Sequence, residues 1–267
     1  MLRFSANISF LFNEHPFLER FAAAKATGFR AVEFHFPYEI DQDFLAEVVL
    51  TSGMEVVLFN LPAGTPAEWA HGGRGIACHP DRVDDFKAGV EKAIAYARAL
   101  GCKRLNCLAG VAPPGVPLAV AEATLVSNLR LAAQQASDAG IELVIEPLNT
   151  IDNPGFLVPT SAQALAIIDA VGSDNLRLQY DVYHAQVMEG NLVNSLRTQL
   201  SGIGHIQLAD NPGRHEPGTG EINFRFLLSE LDRFGYRGWI GCEYIPRTST
   251  IESLSWLQAW LKPGNAG

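Results

Sequence analysis

Short runs rich in β-branched and aromatic residues alternate along this chain with longer stretches in which apolar positions recur every three or four residues. The first pattern is that of a buried strand, the second that of a helix packed on one face. LRFSANI is followed by HPFLERFAAAKATG, RAVEFHF by DQDFLAEVVLTSG, MEVVLFNL by RVDDFKAGVEKAIAYARALG, and KRLNCLAG by LAVAEATLVSNLRLAAQQASDAG. The second half keeps step with IELVIEPL and TSAQALAIIDAVG, LRLQYDVY and QVMEGNLVNSLRTQLSG, GHIQLAD and INFRFLLSELDRFG, GWIGCEY and TIESLSWLQAWL. Helical segments close at Gly28, Gly53, Gly101, Gly140, Gly172 and Gly235, as expected where a left-handed residue stops a helix.

Strict alternation without a break in composition predicts a parallel sheet, and eight such units close into a (β/α)8 TIM barrel, a single α/β domain over 1–267. The competing architecture, an open doubly wound sheet, usually has fewer strands and often a GxGxxG turn after the first; none follows ANISF. The polar connections 60–81 and 209–222 hold too little apolar sequence to be domains and are expected as loops over the barrel mouth.

Composition narrows the partners. The 267 residues are 48% hydrophobic with a mean hydropathy of +0.07, which suits one large core. With 20 Lys and Arg against 29 Asp and Glu the formal charge is -9, which argues against a nucleic-acid surface and for a small-molecule substrate. No run approaches the roughly 18 apolar residues of a membrane span. MLRFSANISF lacks the charged start and long apolar core of a signal peptide, so a cytoplasmic location is expected. Cys78, Cys102, Cys107 and Cys242 form no CxxC pair and are expected as buried, reduced thiols. The chain leaves open whether it forms a homo-oligomer.

In barrels of this kind catalytic groups come from the C-terminal ends of the strands. The fifth predicted strand ends in Glu146, the sixth in Asp181, the seventh near Gln207 and the eighth in Glu243, four oxygen-bearing side chains at one level. Val144, Gln179, His205 and Gly241, two residues earlier, share their face. Taken alone, Asp181 reads as a helix N-cap. Together, three carboxylates in a dry mouth repel one another until a proton or a cation intervenes. A divalent ion is the economical solution, and hard oxygen donors without a thiolate favour Mg2+ or Mn2+, with zinc left open. His184, on the turn after Asp181, is placed to lean over the ion and move a hydroxyl proton; its alternative is a cap on the next helix. His205 lies one layer deeper and reads as support or core. His15, His35, His71, His79 and His215 gain no role from spacing.

The segments FSANISFLF, VEFHFPYE, IACHP, LNCLAG, IEPLNT, QYDVYHAQ, GHIQLADNPGRHEPGTGEIN and WIGCEY together resemble the hydroxypyruvate isomerase family, a branch of the xylose isomerase-like barrels. The resemblance runs from Leu2 to Trp260. It implies a (β/α)8 fold and an aldose–ketose type isomerisation of a small 2-oxo acid: hydroxypyruvate and tartronate semialdehyde interconverted through an enediolate. The family's two catalytic acids fall on Glu146 and Glu243 and its metal ligands on Glu146, Asp181, Gln207 and Glu243, for a Mg2+ or Mn2+ ion that is not obligatory in every member. Wider relatives often carry HxH on the seventh strand; HIQ here agrees with the hydroxypyruvate branch and weakens a general sugar epimerase. The substrate carboxylate needs a cation, for which Arg214 comes first and Arg74 and Arg82 follow. The motifs also resemble the sister 2-oxo-tetronate isomerases, whose substrate is one carbon longer; NLPAG, GIACHP, LNCLAG and IEPLNT look closer to the hydroxypyruvate group. A multi-zinc endonuclease would want more clustered histidines and a basic groove, and a non-catalytic binding barrel would lack part of the strand-end set.

Overall fold

The computed structural model describes residues 1–70 and 74–261, which leaves His71 and the adjoining glycines outside it. Eight parallel strands close into one barrel in chain order, with β1 paired to β8. They are β1 Arg3–Asn7, β2 Ala31–Phe34, β3 Glu55–Asn60, β4 Arg104–Cys107, β5 Glu142–Ile145, β6 Leu176–Asp181, β7 Ile203–Leu208 and β8 Trp239–Cys242. The helices are α1 Arg20–Ala26, α2 Gln42–Ser52, α3 Pro66–Ala70, α4 Val83–Leu100, α5 Leu118–Asp138, α6 Ser161–Val171, α7 Val182–Met188, α8 Leu192–Gln199, α9 Phe224–Arg233, α10 Thr250–Ser253 and α11 Gln258–Leu261. The predicted single-domain barrel is the observed one.

The strands are buried on both faces because helices cover the outside, which is why they read as continuous apolar runs. Side chains such as Phe21, Leu45, Phe86 and Leu129 from the helices meet Phe34, Phe59 and Leu105 of the strands in the main core. Asp41, Thr160 and Asn223 accept backbone N–H groups at the starts of α2, α6 and α9. All six predicted stop glycines have positive φ. The four cysteines are buried and free, as expected. Among the described residues no helix is long and apolar enough to cross a membrane.

Inside the barrel the order is apolar, then polar. Ala31, Val57, Leu58 and Val144 form a small apolar cluster of their own. The polar layer contains Ser5, Asn7, Glu33, Gln179 and His205, all fully or almost fully buried. The sheet register shifts twice, between Val32 and Glu33 and between Leu178 and Gln179, immediately before two members of that layer. Such irregularities re-aim side chains beside functional sites. The Glu33 carboxylate accepts from Ser5 Oγ (2.9 Å), Asn7 Nδ2 (3.2 Å) and Gln207 Nε2 (2.7 Å), and pairs with His205 Nε2 at 2.8 Å. Burial alone would raise its pKa, but His205 and these hydrogen bonds outweigh burial and hold it below the ordinary value.

Gly241 makes room for this carboxylate: a Cβ there would collide with both oxygens and the carbon between them. Gly241→Ala is therefore expected to destabilise the fold by about 2 kcal/mol, the usual scale of overpacking. Urea titration measures it, and a stability within about 0.5 kcal/mol of the unaltered chain would show that the barrel axis has slack.

Candidate functional site

Within one residue of its end, every strand carries a polar side chain: Asn7, His35, Asn60, Asn106, Glu146, Asp181, Gln207 and Glu243. Register pairs Asn60 with Asn106 and Asp181 with Gln207, so neighbours stand level at the mouth.

Glu146, Asp181 and His184 each offer an atom within 4.8 Å of the others, and all three are buried. Glu146 Oε2 accepts from Asn106 Nδ2 at 2.7 Å, and Asn106 also donates to Asn60 Oδ1. Burial, with Glu243 and Asp181 adding repulsion, raises the Glu146 carboxyl well above its ordinary pKa. Burial pushes Asp181 up to about 7, opposed by Arg214. These are the signs of excess negative charge, and hard oxygens that compete for protons fit a divalent cation. Asp181 answers both readings of the sequence. Its Oδ1 accepts from Tyr183 N at 2.7 Å and caps α7, while Oδ2 faces His184 and Arg214.

His184 lies in the first turn of α7 rather than on a preceding turn, and it does not cap the helix. Its Nδ1 accepts from Asn149 N at 3.1 Å and lies 2.7 Å from Asn149 Nδ2. The Asn149 carboxamide cannot turn round, because its Oδ1 accepts from Ile151 N and Asp152 N while Nδ2 donates to Asp152 Oδ2. Two donors facing Nδ1 require a lone pair there, so the imidazole proton sits on Nε2. Burial, reinforced by Arg214, holds the ring pKa far below its ordinary value and keeps the ring neutral. Nε2, 3.6 Å from Asp181 Oδ2, has no hydrogen-bond partner among the described residues. It is a buried donor awaiting an acceptor.

Glu243 is held from two sides, by Arg214 NH2 at 2.9 Å and His35 Nε2 at 3.1 Å. Arg214 also reaches Asp181 Oδ2 at 3.4 Å and lies over the rings of Phe10 and Tyr183, 4.9 and 5.3 Å from their centroids. Burial disfavours its charge, but Glu243, Asp181 and Glu146 outweigh burial and raise its pKa. The connection 209–222 that delivers this arginine is tied to Asp210, whose carboxylate accepts from the backbone of Asn211, Gly218, Gly220 and Ile222. Arg214 itself has φ of 56°, a left-handed conformation costing about 1 kcal/mol or more. Its carbonyl is fixed by Ile245 N at 2.7 Å.

A cavity of about 710 Å³ opens above these groups, with Phe10, His35, Trp69, Arg74, Asp152 and Tyr183 among its walls. Both long connections contribute to it, as expected of mouth loops. Arg74 stacks 4.3 Å from the Trp69 ring and donates to Asn153 Oδ1. Arg82, the third candidate cation, pairs instead with Glu68 and Asp85 away from the cavity. Gln207 stands level with Asp181, but its carboxamide is engaged by Glu33 and Gln179. His205 is the support beneath the site that its depth suggested. Sequence reasoning passed over Glu33, His35, Asn106 and Asn149. The polar-residue-at-strand-end rule, extended to strands 1–4, would have found His35 and Asn106.

Residues 21–260 match the family described as xylose isomerase-like TIM barrel. The chain is 51% identical over 260 residues to the hydroxypyruvate isomerase of Escherichia coli, covering 97% of this chain and 100% of that one. It is 44% identical over 261 residues to a 2-oxo-tetronate isomerase of Cupriavidus necator, with 98% and 99% covered. A crystal structure from Brucella melitensis, described as an AP endonuclease of family 2, superposes with a TM-score of 0.93 at 41% identity over 97% of this chain and 99% of that one.

Protons and cations compete for the same carboxyl groups. With the Asp181 pKa raised from 3.8 to about 7, and Glu146 raised as well, the cation-free fold gains stability from bound protons below pH 4 and loses it as pH rises through 7. Mn2+ should therefore raise Tm more at pH 8 than at pH 5.5, and less in Asp181→Asn than in the unaltered chain. Equal Tm shifts at the two pH values, measured by calorimetry, would contradict this competition.

Proposed function

This chain belongs to the hydroxypyruvate isomerase family of the xylose isomerase-like TIM barrels, and from that premise we propose that it interconverts hydroxypyruvate and tartronate semialdehyde. It is then an intramolecular oxidoreductase acting on a small 2-oxo acid. One observation carries the reading: two carboxyl groups face the same cavity, with Glu146 driven toward its protonated form by burial while Glu243 is gripped by Arg214 and His35. A carboxyl driven toward protonation beside a carboxylate held by a guanidinium supports an acid role for the first and a base role for the second.

The reaction oxidises the C3 alcohol to an aldehyde and reduces the C2 ketone to an alcohol. The Glu243 carboxylate accepts the C3 proton, and the C3–H electron pair becomes the C2–C3 double bond of an enediolate. The Glu146 carboxyl returns a proton to C2 on collapse. Arg214, with a buried Nε that has no hydrogen-bond partner among the described residues, and His184, with its Nε2–H, donate to the substrate oxygens that carry the developing charge. His184 then passes the hydroxyl proton between the oxygens on C3 and C2. Exchange with solvent resets the two glutamates. Glu146, Asp181, Gln207 and Glu243 are the residues that would hold Mg2+ or Mn2+, which when bound supplies Lewis-acid stabilisation of negative charge on oxygen. His184 serves the substrate rather than the ion, since its Nδ1 lone pair is already used and Nε2 carries the proton.

The second reading, 2-oxo-tetronate isomerisation, is favoured by the 44% identical relative and by Asp152 and Asn153 on the cavity wall, partners for one more hydroxyl. The 51% identity to a hydroxypyruvate isomerase supports our putting that substrate first. An endonuclease activity, as the Brucella structure is described, suits neither the -9 charge nor a cavity lined by carboxylates.

Three measurements test the reading. Glu146→Gln and Glu243→Gln are each expected to lower kcat about 10²-fold or more with the fold intact; near-normal turnover in a folded variant removes that residue from the mechanism. In deuterated water, NMR at early times should find deuterium at C2 in nearly every turnover, because separate groups remove and return the proton. Retention of the original hydrogen would assign the transfer to one residue. A kcat/KM for 2-oxo-tetronate about a hundredfold above that for hydroxypyruvate would make the longer acid the substrate, a difference of about 2.7 kcal/mol.

A further inference from the structure

Beneath the mouth lies a carboxylate that the proposed chemistry does not use. Glu33 is completely buried on the barrel axis, is not among the residues that line the cavity above, and collects four polar partners from β1 and β7. A shift in the register of β2 precedes it, and Gly241 on β8 leaves the space it fills. Burying an ionised carboxylate costs several kcal/mol before its partners compensate. A feature this expensive, built from four strands, calls for a function.

Its contact with Gln207 supplies one. A carboxylate only accepts hydrogen bonds, so the end of the Gln207 carboxamide that lies 2.7 Å from Glu33 Oε1 must be the NH2. Gln179 agrees with that orientation from the other side, donating from Nε2 to Gln207 Oε1 at 2.5 Å. The amide is thereby fixed with its nitrogen on the axis. Its oxygen, which accepts from Gln179 and has a second lone pair, is the only end of the amide that can still ligate a cation at the level shared with Asp181. Turned over, the same side chain would present NH2 hydrogens, which cannot ligate a cation.

We infer that Glu33 is a positioning residue: it holds the Gln207 carboxamide by its nitrogen, leaves the oxygen as the atom free to ligate, and so sets the affinity of the strand-end site for a divalent cation. The inference rests on the proposed reading of Gln207 as an ion ligand. Groups that orient a ligand from behind typically contribute 10- to 100-fold to metal affinity.

Calorimetric titration of the full-length chain with MnCl2 tests this in four proteins: unaltered, Glu33→Gln, Gln207→Ala and the double variant. Glu33→Gln keeps the shape at 33 but offers an NH2, so the Gln207 amide can turn over. Binding is expected to weaken about tenfold or more in Glu33→Gln and in Gln207→Ala. The double variant should bind within about twofold of Gln207→Ala, since Glu33 has no route to the ion without Gln207. Failure of the unaltered chain to bind Mn2+ overturns the ion reading and the inference together. Normal binding by a folded Glu33→Gln variant, or an equal loss on adding that change to Gln207→Ala, overturns the inference alone. Should Glu33→Gln fail to fold, a crystal structure of the unaltered chain with Mn2+ decides. Gln207 bound to the ion and still within hydrogen-bond distance of Glu33 supports the lock, and a broken contact refutes it.

Discussion

Four carboxylates buried along one barrel axis impose the constraint that organises this molecule. Glu33, Glu146, Asp181 and Glu243 are each at most 5% exposed. Water cannot screen them, and each must be answered by donors, by a proton or by a cation. The answers differ with depth. Glu33 is surrounded by fixed donors and stays below the ordinary carboxyl range. One layer higher the fixed donors are too few, and Glu146 and Asp181 shift upward instead. The gradient separates a support held charged by its donors from two carboxyl groups, Glu146 and Asp181, that burial drives toward protonation, and the proposed acid, Glu146, belongs to the second group.

Arg214 brings a guanidinium to this charge, and much of the surrounding structure exists to keep it there. Asp210 gathers the connection 209–222, Ile245 N pins the Arg214 carbonyl, and Phe10 and Tyr183 bracket the guanidinium. A left-handed, non-glycine backbone persists only when its surroundings over-determine it, which these contacts do. The arginine sits between Glu243 and Asp181. It therefore couples the group proposed to take a proton to one proposed to hold an ion.

The sequence disclosed the barrel almost completely, because strands covered on both faces and one-faced helices have different periods. One of the misplaced boundaries is instructive. LRLQYDVY reads as strand through Tyr183, since valine and tyrosine favour strands, yet Asp181 Oδ1 accepts the Tyr183 N–H and starts a helix two residues sooner. Strand-end position made Glu146, Asp181, Gln207 and Glu243 visible as candidates. Glu33 and His35 stayed hidden inside VEFHF: in a strand buried on both sides, alternation does not tell the barrel axis from the helical side. Asn149 was invisible for another reason, since its effect on His184 depends on a loop folding back across 35 residues.

The division between strands and loops also bears on which acid is isomerised. The strand-end residues are linked to one another and to the interior: Asn106 holds Glu146, Glu33 and Gln179 hold Gln207, and Arg214 holds Glu243. Any exchange among them leaves a buried polar group unpaired, so this layer is poorly suited to distinguish a three-carbon acid from a four-carbon one. Trp69, Arg74, Asp152 and Asn153 line the cavity from the connections instead. Asp152 is exposed and anchored through Oδ2 to Tyr183 and Asn149, and it can meet a further hydroxyl without direct contact with Glu146 or Glu243, the pair proposed to move the proton. Because Asn149 also faces His184 Nδ1, a substrate hydroxyl placed on Asp152 would pull on the network that fixes the His184 proton. A hydroxyl on Asp152 would therefore act on the proposed site by two routes, through Asn149 to His184 and through Tyr183 to the Arg214 guanidinium that holds Glu243.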